Sequence, residues 1–242
     1  DTHQVAIYPK NGDIVVKKNR NIIFDGLINA GRFVMHVSDA NFSYDTFKLT
    51  LPQIDSMMFY VKSFTDKRPD APLELVRTPI HDLQAEILID EPNNKSSLRK
   101  IMGYPIIRSL KDCYAYYESP YIRNGAYKRD KFHFIIKPFT LRNMMTFETD
   151  SVILDGTLVS AGIFPDINEP LIVRKDYSLG FVMNTPESGL PAYGGKGQYK
   201  NIIDLSNKGL LGEGDLEYLS SVTRASRDNM VFMPDSMVAI TD

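Results

Sequence analysis

The sequence predicts an all-β protein. Three observations carry that expectation. Apolar and polar residues alternate in short runs, glycine and proline are spread along the whole chain, and two sequence motifs recur. The alternation is cleanest at Phe47-Lys48-Leu49-Thr50-Leu51 and at Phe132-His133-Phe134-Ile135-Ile136. Each run is bounded by turn residues, which is how a half-buried strand reads. The 15 Gly and 14 Pro leave few stretches long enough for a helix.

Taken in order, the strands are predicted over Asp13–Lys17, Asn21–Phe24, Phe47–Leu51, Glu86–Ile89, Phe132–Ile136, Leu171–Val173 and Met230–Met233. Helical signals are few. Residues Asn94–Met102 predict a two-turn helix, with Ser96 as N-cap and Gly103 as its stop. Gly214–Leu219 fits one helical turn and a strand equally well.

The recurrences say more about architecture. Ile22-Ile23-Phe24-Asp25-Gly26, followed by Ala30-Gly31-Arg32-Phe33, returns as Val152-Ile153-Leu154-Asp155-Gly156, followed by Ala161-Gly162-Ile163-Phe164. Asp45-Thr46-Phe47 with Pro52 returns as Asp130-Lys131-Phe132 with Pro138. Asp-Gly suits a tight turn, because glycine accepts positive φ. Ala-Gly after a short strand suits close approach of another backbone. One such unit cannot bury its own apolar face, whereas stacked units can. The expected architecture is therefore a β-solenoid, a parallel β-helix-like stack of short strands. The alternative is two β-sandwich domains, joined near Pro69–Pro72 or Glu91–Asn94. Residues 1–242 read as one β-rich repeat segment of a larger protein, with a sub-boundary near 91–97.

Charge and composition exclude some functions. Lys and Arg total 28 against 30 Asp and Glu, a net charge of −2. So even a balance, with no long basic run, argues against a nucleic-acid binder. One cysteine, Cys113, permits no internal disulfide and reads as a structural thiol in a strand. No apolar run is long enough for a transmembrane helix. The chain opens on Asp1 without a signal peptide and closes on Asp242 beside a strand-like run, so both ends read as cut.

Several groups invite a chemical reading. The cluster Tyr193-Gly194-Gly195-Lys196-Gly197 resembles a phosphate loop in glycine content alone. Gly195 stands where a Walker loop needs lysine, and no hydroxyl follows. It reads as an exposed loop, with Tyr193 and Lys196 as candidate ligand contacts. His3, His36, His81 and His133 lack metal-ligand spacing, so no metal or cofactor is implied. Asp25, Asp45, Asp130 and Asp155 recur at equivalent repeat positions, which suits structure better than a unique catalytic pair. The aromatic group Tyr114, Tyr116, Tyr117, Tyr121 and Tyr127 is the densest in the chain. Alternation puts Tyr114 and Tyr116 on one strand face, and Arg123 and Arg129 beside them suit acidic glycans. Tyr114, Tyr116, Tyr117, Arg123, Tyr193 and Lys196 are therefore the candidate ligand-binding residues. No catalytic residue is assigned.

Seven blocks carry a family resemblance. They are Phe24-Asp25-Gly26 with Ala30–Phe33, Asp90–Ser96, Ile163-Phe164-Pro165, Asp176–Phe181, Tyr193–Gly197, Leu205–Leu210 and Pro234–Met237. Across most of its length the chain resembles very large exported proteins of Bacteroidetes bacteria, a family with no assigned activity. The resemblance implies export to the envelope, membership of a longer chain and β-repeat architecture. It implies no catalytic residues. The expected function is a non-enzymatic structural or interaction segment that meets an envelope protein or glycan, in the periplasm, at the outer membrane surface or secreted. A variant resembles open β-groove proteins that bridge membranes and carry lipid, and expects a continuous apolar channel. The alternative is a carbohydrate-binding or carbohydrate-cleaving module.

Overall fold

The computed structural model describes residues 5–240, so His3 and both chain ends lie outside the described residues. The chain divides into two compact units. The first takes in the residues up to Tyr114 together with Lys137–Val152, and the second Ala115–Ile136 together with the residues from Ile153 onward. The 91–97 stretch lies inside the first unit.

The first unit opens with β1 (Val5–Pro9), β2 (Val15–Val16), β3 (Ile22–Ala30), β4 (Phe33–Ser43), β5 (Lys48–Val61), β6 (Glu74–Leu75), β7 (Ile80–Leu88) and β8 (Ile106–Ser109). β9 (Cys113–Tyr116) leads into the second unit and β10 (Phe132–Ile136). The chain returns to the first unit for β11 (Thr140–Leu141). It then completes the second with β12 (Ile153–Leu154), β13 (Gly156–Ser160), β14 (Leu171–Val173), β15 (Leu179–Asn184), β16 (Leu190–Ala192), β17 (Gly197–Ser206), β18 (Gly209–Tyr218), β19 (Ser221–Met233) and β20 (Ser236–Ala239). Among the described residues no α-helix forms, and three short 3₁₀ turns are the only helical pieces.

The protein is all-β, built on antiparallel sheets that do not close. In the first unit β1, β3, β4, β5, β7 and β8 pair in that order, with β11 added on β8. In the second, β10 pairs β13, and β12, β14, β15, β17, β18, β19 and β20 form a meander. Burial alternates along the strands as the sequence pattern requires. In β7, Ile80, Leu83, Ala85 and Ile87 are buried between half-exposed or exposed neighbours. Aromatic clusters fill the interiors. Phe33, Phe59 and Phe147 meet in the first unit with centroids 5.2–6.1 Å apart. Phe164, Tyr199 and Phe232 meet in the second at 4.9–5.6 Å. Such offset and edge-on pairs add modestly to the burial of their large apolar area.

The antiparallel pairing corrects the solenoid expectation. A parallel β-helix needs each corner to send the chain onward into the next coil. Here Gly31 (φ +59) and Arg32 instead reverse the chain, leaving Ala30 directly opposite Phe33 in a two-residue hairpin. Asp25-Gly26 is not a turn at all. Asp25 falls in a bulge inside β3, where the register shifts between Phe24 and Gly26.

The recurrence nonetheless has a structural counterpart in each unit. Val5–Pro9 runs antiparallel to Gly26–Ala30, with Pro9 opposite Gly26 and Ile7 opposite Ile28. Phe132–Ile136 runs antiparallel to Gly156–Ser160, with Ile136 opposite Gly156 and Phe134 opposite Leu158. Ile28 and Leu158 hold the same ladder position, and both are fully buried. The paths then diverge, because Gly31 begins a hairpin whereas Ala161 and Gly162 (φ +57 and +77) turn the chain toward the Leu158–Ile167 bridge.

Candidate functional site

A concavity in the first unit is lined by residues 89–105, which join β7 to β8, together with Asn143, Met145 and Thr146. This stretch lacks alternation, and a strand-free connection of that length is more often functional than incidental. Its frame is Asn94, 2% exposed. The Asn94 amide nitrogen donates to Asp90 Oδ2 at 2.8 Å and to the Arg99 carbonyl at 2.7 Å. Its Oδ1 accepts from the Arg99 N–H at 3.0 Å. Asp90 Oδ1 accepts from the Glu91 N–H at 2.7 Å. These bonds replace the helix expected over Asn94–Met102. The Arg99 amide and carbonyl close on a side chain instead of on backbone groups one turn away, and Ser97 adopts φ +52.

Beside this frame lies a cleft of about 470 Å³. Ile89, Ile101, Pro105 and Met145 supply its apolar walls, and Asp90, Arg99, Lys100 and Tyr104 are among its polar ones. The Arg99 guanidinium donates to Asn93 Oδ1 at 2.7 Å and sits 3.5 Å from Glu91. Met102 lines the cleft while 78% exposed.

The residues that the sequence singled out lie elsewhere. Tyr114 and Tyr116 alternate onto the half-exposed face of β9, while Cys113 and Ala115 are buried. The Arg129 guanidinium lies over the Tyr116 ring, 4.6 Å from its centroid, and pairs with Glu118. That pairing holds the Glu118 carboxyl below its ordinary range. Tyr121 is 97% exposed. Tyr117 is fully buried, and its hydroxyl donates to the Leu179 carbonyl at 3.0 Å. Burial, with Asp176 nearby, drives the Tyr117 pKa upward.

A second group converges within the second unit. The Tyr127 hydroxyl donates to the Phe232 carbonyl at 2.7 Å and accepts from the Leu210 N–H at 3.0 Å. Arg123 Nε donates to the Lys208 carbonyl at 2.7 Å. The Tyr193 hydroxyl reaches the carbonyls of Ser236 at 2.8 Å and Met233 at 3.2 Å. Burial raises the pKa values of Tyr127 and Tyr193. Lys196 is exposed in the hairpin loop between β16 and β17, where Ala192 stands opposite Gly197. The structure thus joins Tyr116 with Arg129 and Arg123 with Tyr127, and leaves Lys196 at a loop tip.

Cys113 is buried, and burial pushes its thiol up to about 12. His81 Nδ1 lies 3.1 Å from the Asp55 carbonyl and His133 Nδ1 2.8 Å from that of Arg129. Asp25 Oδ1 accepts from the Asp39 N–H at 2.7 Å, bracing the bulge. Among the described residues no group of three or more His, Cys, Asp or Glu side chains is placed to hold a metal ion. Likewise none of their helices is long and apolar enough to cross a membrane. No protein-family model, curated protein or solved structure matches the chain.

Proposed function

We propose that this chain is a non-enzymatic structural and interaction segment of a large bacterial envelope protein, folded as two β-sandwich-like units and exposed outside the cytoplasm. One observation carries the reading. The polar side chains most suited to chemistry serve instead as braces between backbone segments distant in sequence. Tyr117, Tyr127, Tyr193 and Arg123 each spend a donor on a main-chain carbonyl of their own unit. Bonds of that kind stiffen a β framework, and those of Tyr117 and Tyr127 also satisfy polar groups in the interior. The resemblance to exported Bacteroidetes proteins supports the location. The test is protease shaving of intact cells carrying the parent protein, followed by mass spectrometry. Peptides from this chain released without lysis support the assignment, and recovery in the cytosolic fraction alone overturns it.

A carbohydrate-binding role is the second reading, and Tyr116 favours it. Its ring is half-exposed beside Arg129, and Tyr121 stands free in solvent. Tyr117 and Tyr127 offer no open face, so a sugar platform would rest on Tyr116, Tyr121 and Tyr114. A reproducible glycan-array signal that Tyr116→Ala abolishes would move the assignment to this reading. No signal leaves the structural one in place.

A further inference from the structure

We propose that the cleft formed by residues 89–105 binds a small amphipathic carboxylate, an apolar body carrying one anionic head. The proposal goes beyond the structural reading and does not depend on it. Its volume of about 470 Å³ falls in the range of small-molecule sites, which are mostly apolar with a few polar groups that orient the ligand. Ile101, Pro105 and Met145 offer the apolar surface. Met102 is the second pointer. A flexible thioether left 78% exposed at the cleft adapts readily over an aliphatic chain.

The charges select the head group. Both Asp90 oxygens already accept hydrogen bonds, from Glu91 and Asn94. Arg99 is tied to Asn93 and Glu91. Lys100 lines the same cleft and is exposed, and among the described residues its ammonium has no carboxylate partner. An anion placed there gains an ion pair, with Tyr104 also in the lining. An ammonium head would instead meet Lys100 and Arg99 as like charges, against the single Asp90 carboxylate whose oxygens already hold Glu91 and Asn94. The apolar body follows Ile101 and Met145, so affinity rises with chain length until the cleft is filled.

The experiment titrates the purified chain with octanoate, decanoate, decanol and decylammonium by calorimetry, and follows the methionine methyl resonances. Decanoate is expected to bind about tenfold tighter than octanoate, two buried methylenes better, and to shift Met102 and Met145 selectively. Decanol should bind about threefold to fivefold more weakly than decanoate, the scale of one exposed ion pair. Decylammonium should bind more weakly than decanol, by a similar factor. Lys100→Gln, at an exposed position, should keep the melting profile and bring decanoate down to the level of decanol. Equal affinity for decanoate and decanol, an unchanged decanoate affinity in Lys100→Gln, or no saturable binding of any probe overturns the proposal.

Discussion

Arg174 grips Asp204 with one nitrogen, Nη2 donating to both carboxylate oxygens at 3.1 and 3.0 Å. Only 8% of the Asp204 side chain and 20% of Arg174 is exposed. Arg174 Nε is buried without a partner, so the guanidinium depends on Asp204 for its compensation. Removing one member of a buried pair leaves an uncompensated charge, whereas removing both removes the problem with the benefit. Asp204→Ala should therefore cost roughly 3 kcal/mol of unfolding free energy. The double variant Arg174→Met with Asp204→Leu should cost less than Asp204→Ala alone. Denaturant unfolding of the three proteins measures this, and a double variant less stable than Asp204→Ala would refute it.

Gly26 and Gly156 mark the same place in two ladders, and each is there for want of a side chain. A Cβ on Gly26 would lie 2.2 Å from the Tyr8 carbonyl oxygen, and one on Gly156 would lie 2.1 Å from that of Ile135. Both obstacles are backbone, which cannot swing aside. Gly26 also holds φ +147, a region that side chains disfavour. Gly26→Ala and Gly156→Ala should each cost roughly 2–3 kcal/mol, in the upper range of single substitutions. Gly194→Ala, with open space around the position, should cost about 1 kcal/mol or less for its φ of +67. Thermal melts of the three variants rank them, and equal losses would contradict the close-approach account.

These glycines also show what the sequence made legible. Alternation at Phe132–Ile136 became β10 with a strict inward–outward pattern, because a period of two is a local property of the chain. Direction was not legible. A short strand reads alike in a parallel coil and an antiparallel hairpin, and only Ala30 facing Phe33 decides between them. The functional candidates fared by the same logic. Tyr114-Ala115-Tyr116 placed its two rings on one face of β9 by local geometry. The burial of Tyr117 depends on the Leu179 carbonyl, 62 positions away, for which no nearby residue gives a sign. The cleft had a weak signal in the long stretch without alternation from Ile89 to Pro105. Its builder, Asn94, looked instead like the start of a helix.

Four buried or half-buried tyrosines should make the protein sensitive to alkali. Burial raises the pKa of Tyr117, Tyr127, Tyr193 and Tyr199 above the ordinary 10.0. The unfolded chain ionises these groups near pH 10 while the folded chain keeps them protonated. Their stabilisation is thus present below about pH 10 and lost as the pH climbs toward the folded values. Absorbance at 295 nm should show the tyrosinate signal of Tyr117, Tyr127, Tyr193 and Tyr199 appearing in one step as far-ultraviolet dichroism collapses. Ionisation of these four tyrosines with the dichroism intact would remove the basis for this expectation.

Asn94 tests whether the 89–105 loop is held by its side chain or by its flanking strands. Its amide donates twice and accepts once inside the loop, so replacing it with a carboxylate reverses the donor while keeping the shape. Asn94→Asp would set an acceptor against Asp90 Oδ2 and the Arg99 carbonyl, both acceptors already. The expected cost is about 2 kcal/mol, the scale of leaving buried polar groups unpaired. It should fall locally, with the Arg99 amide losing hydrogen-exchange protection while Ile87 in β7 keeps its own. Asn93→Asp, at an exposed neighbour whose Oδ1 already accepts from Arg99, should leave both unchanged. If Asn94→Asp left the Arg99 amide protected, the loop would owe its shape to the strands on either side, and the cleft would be a consequence of the sheet rather than of Asn94.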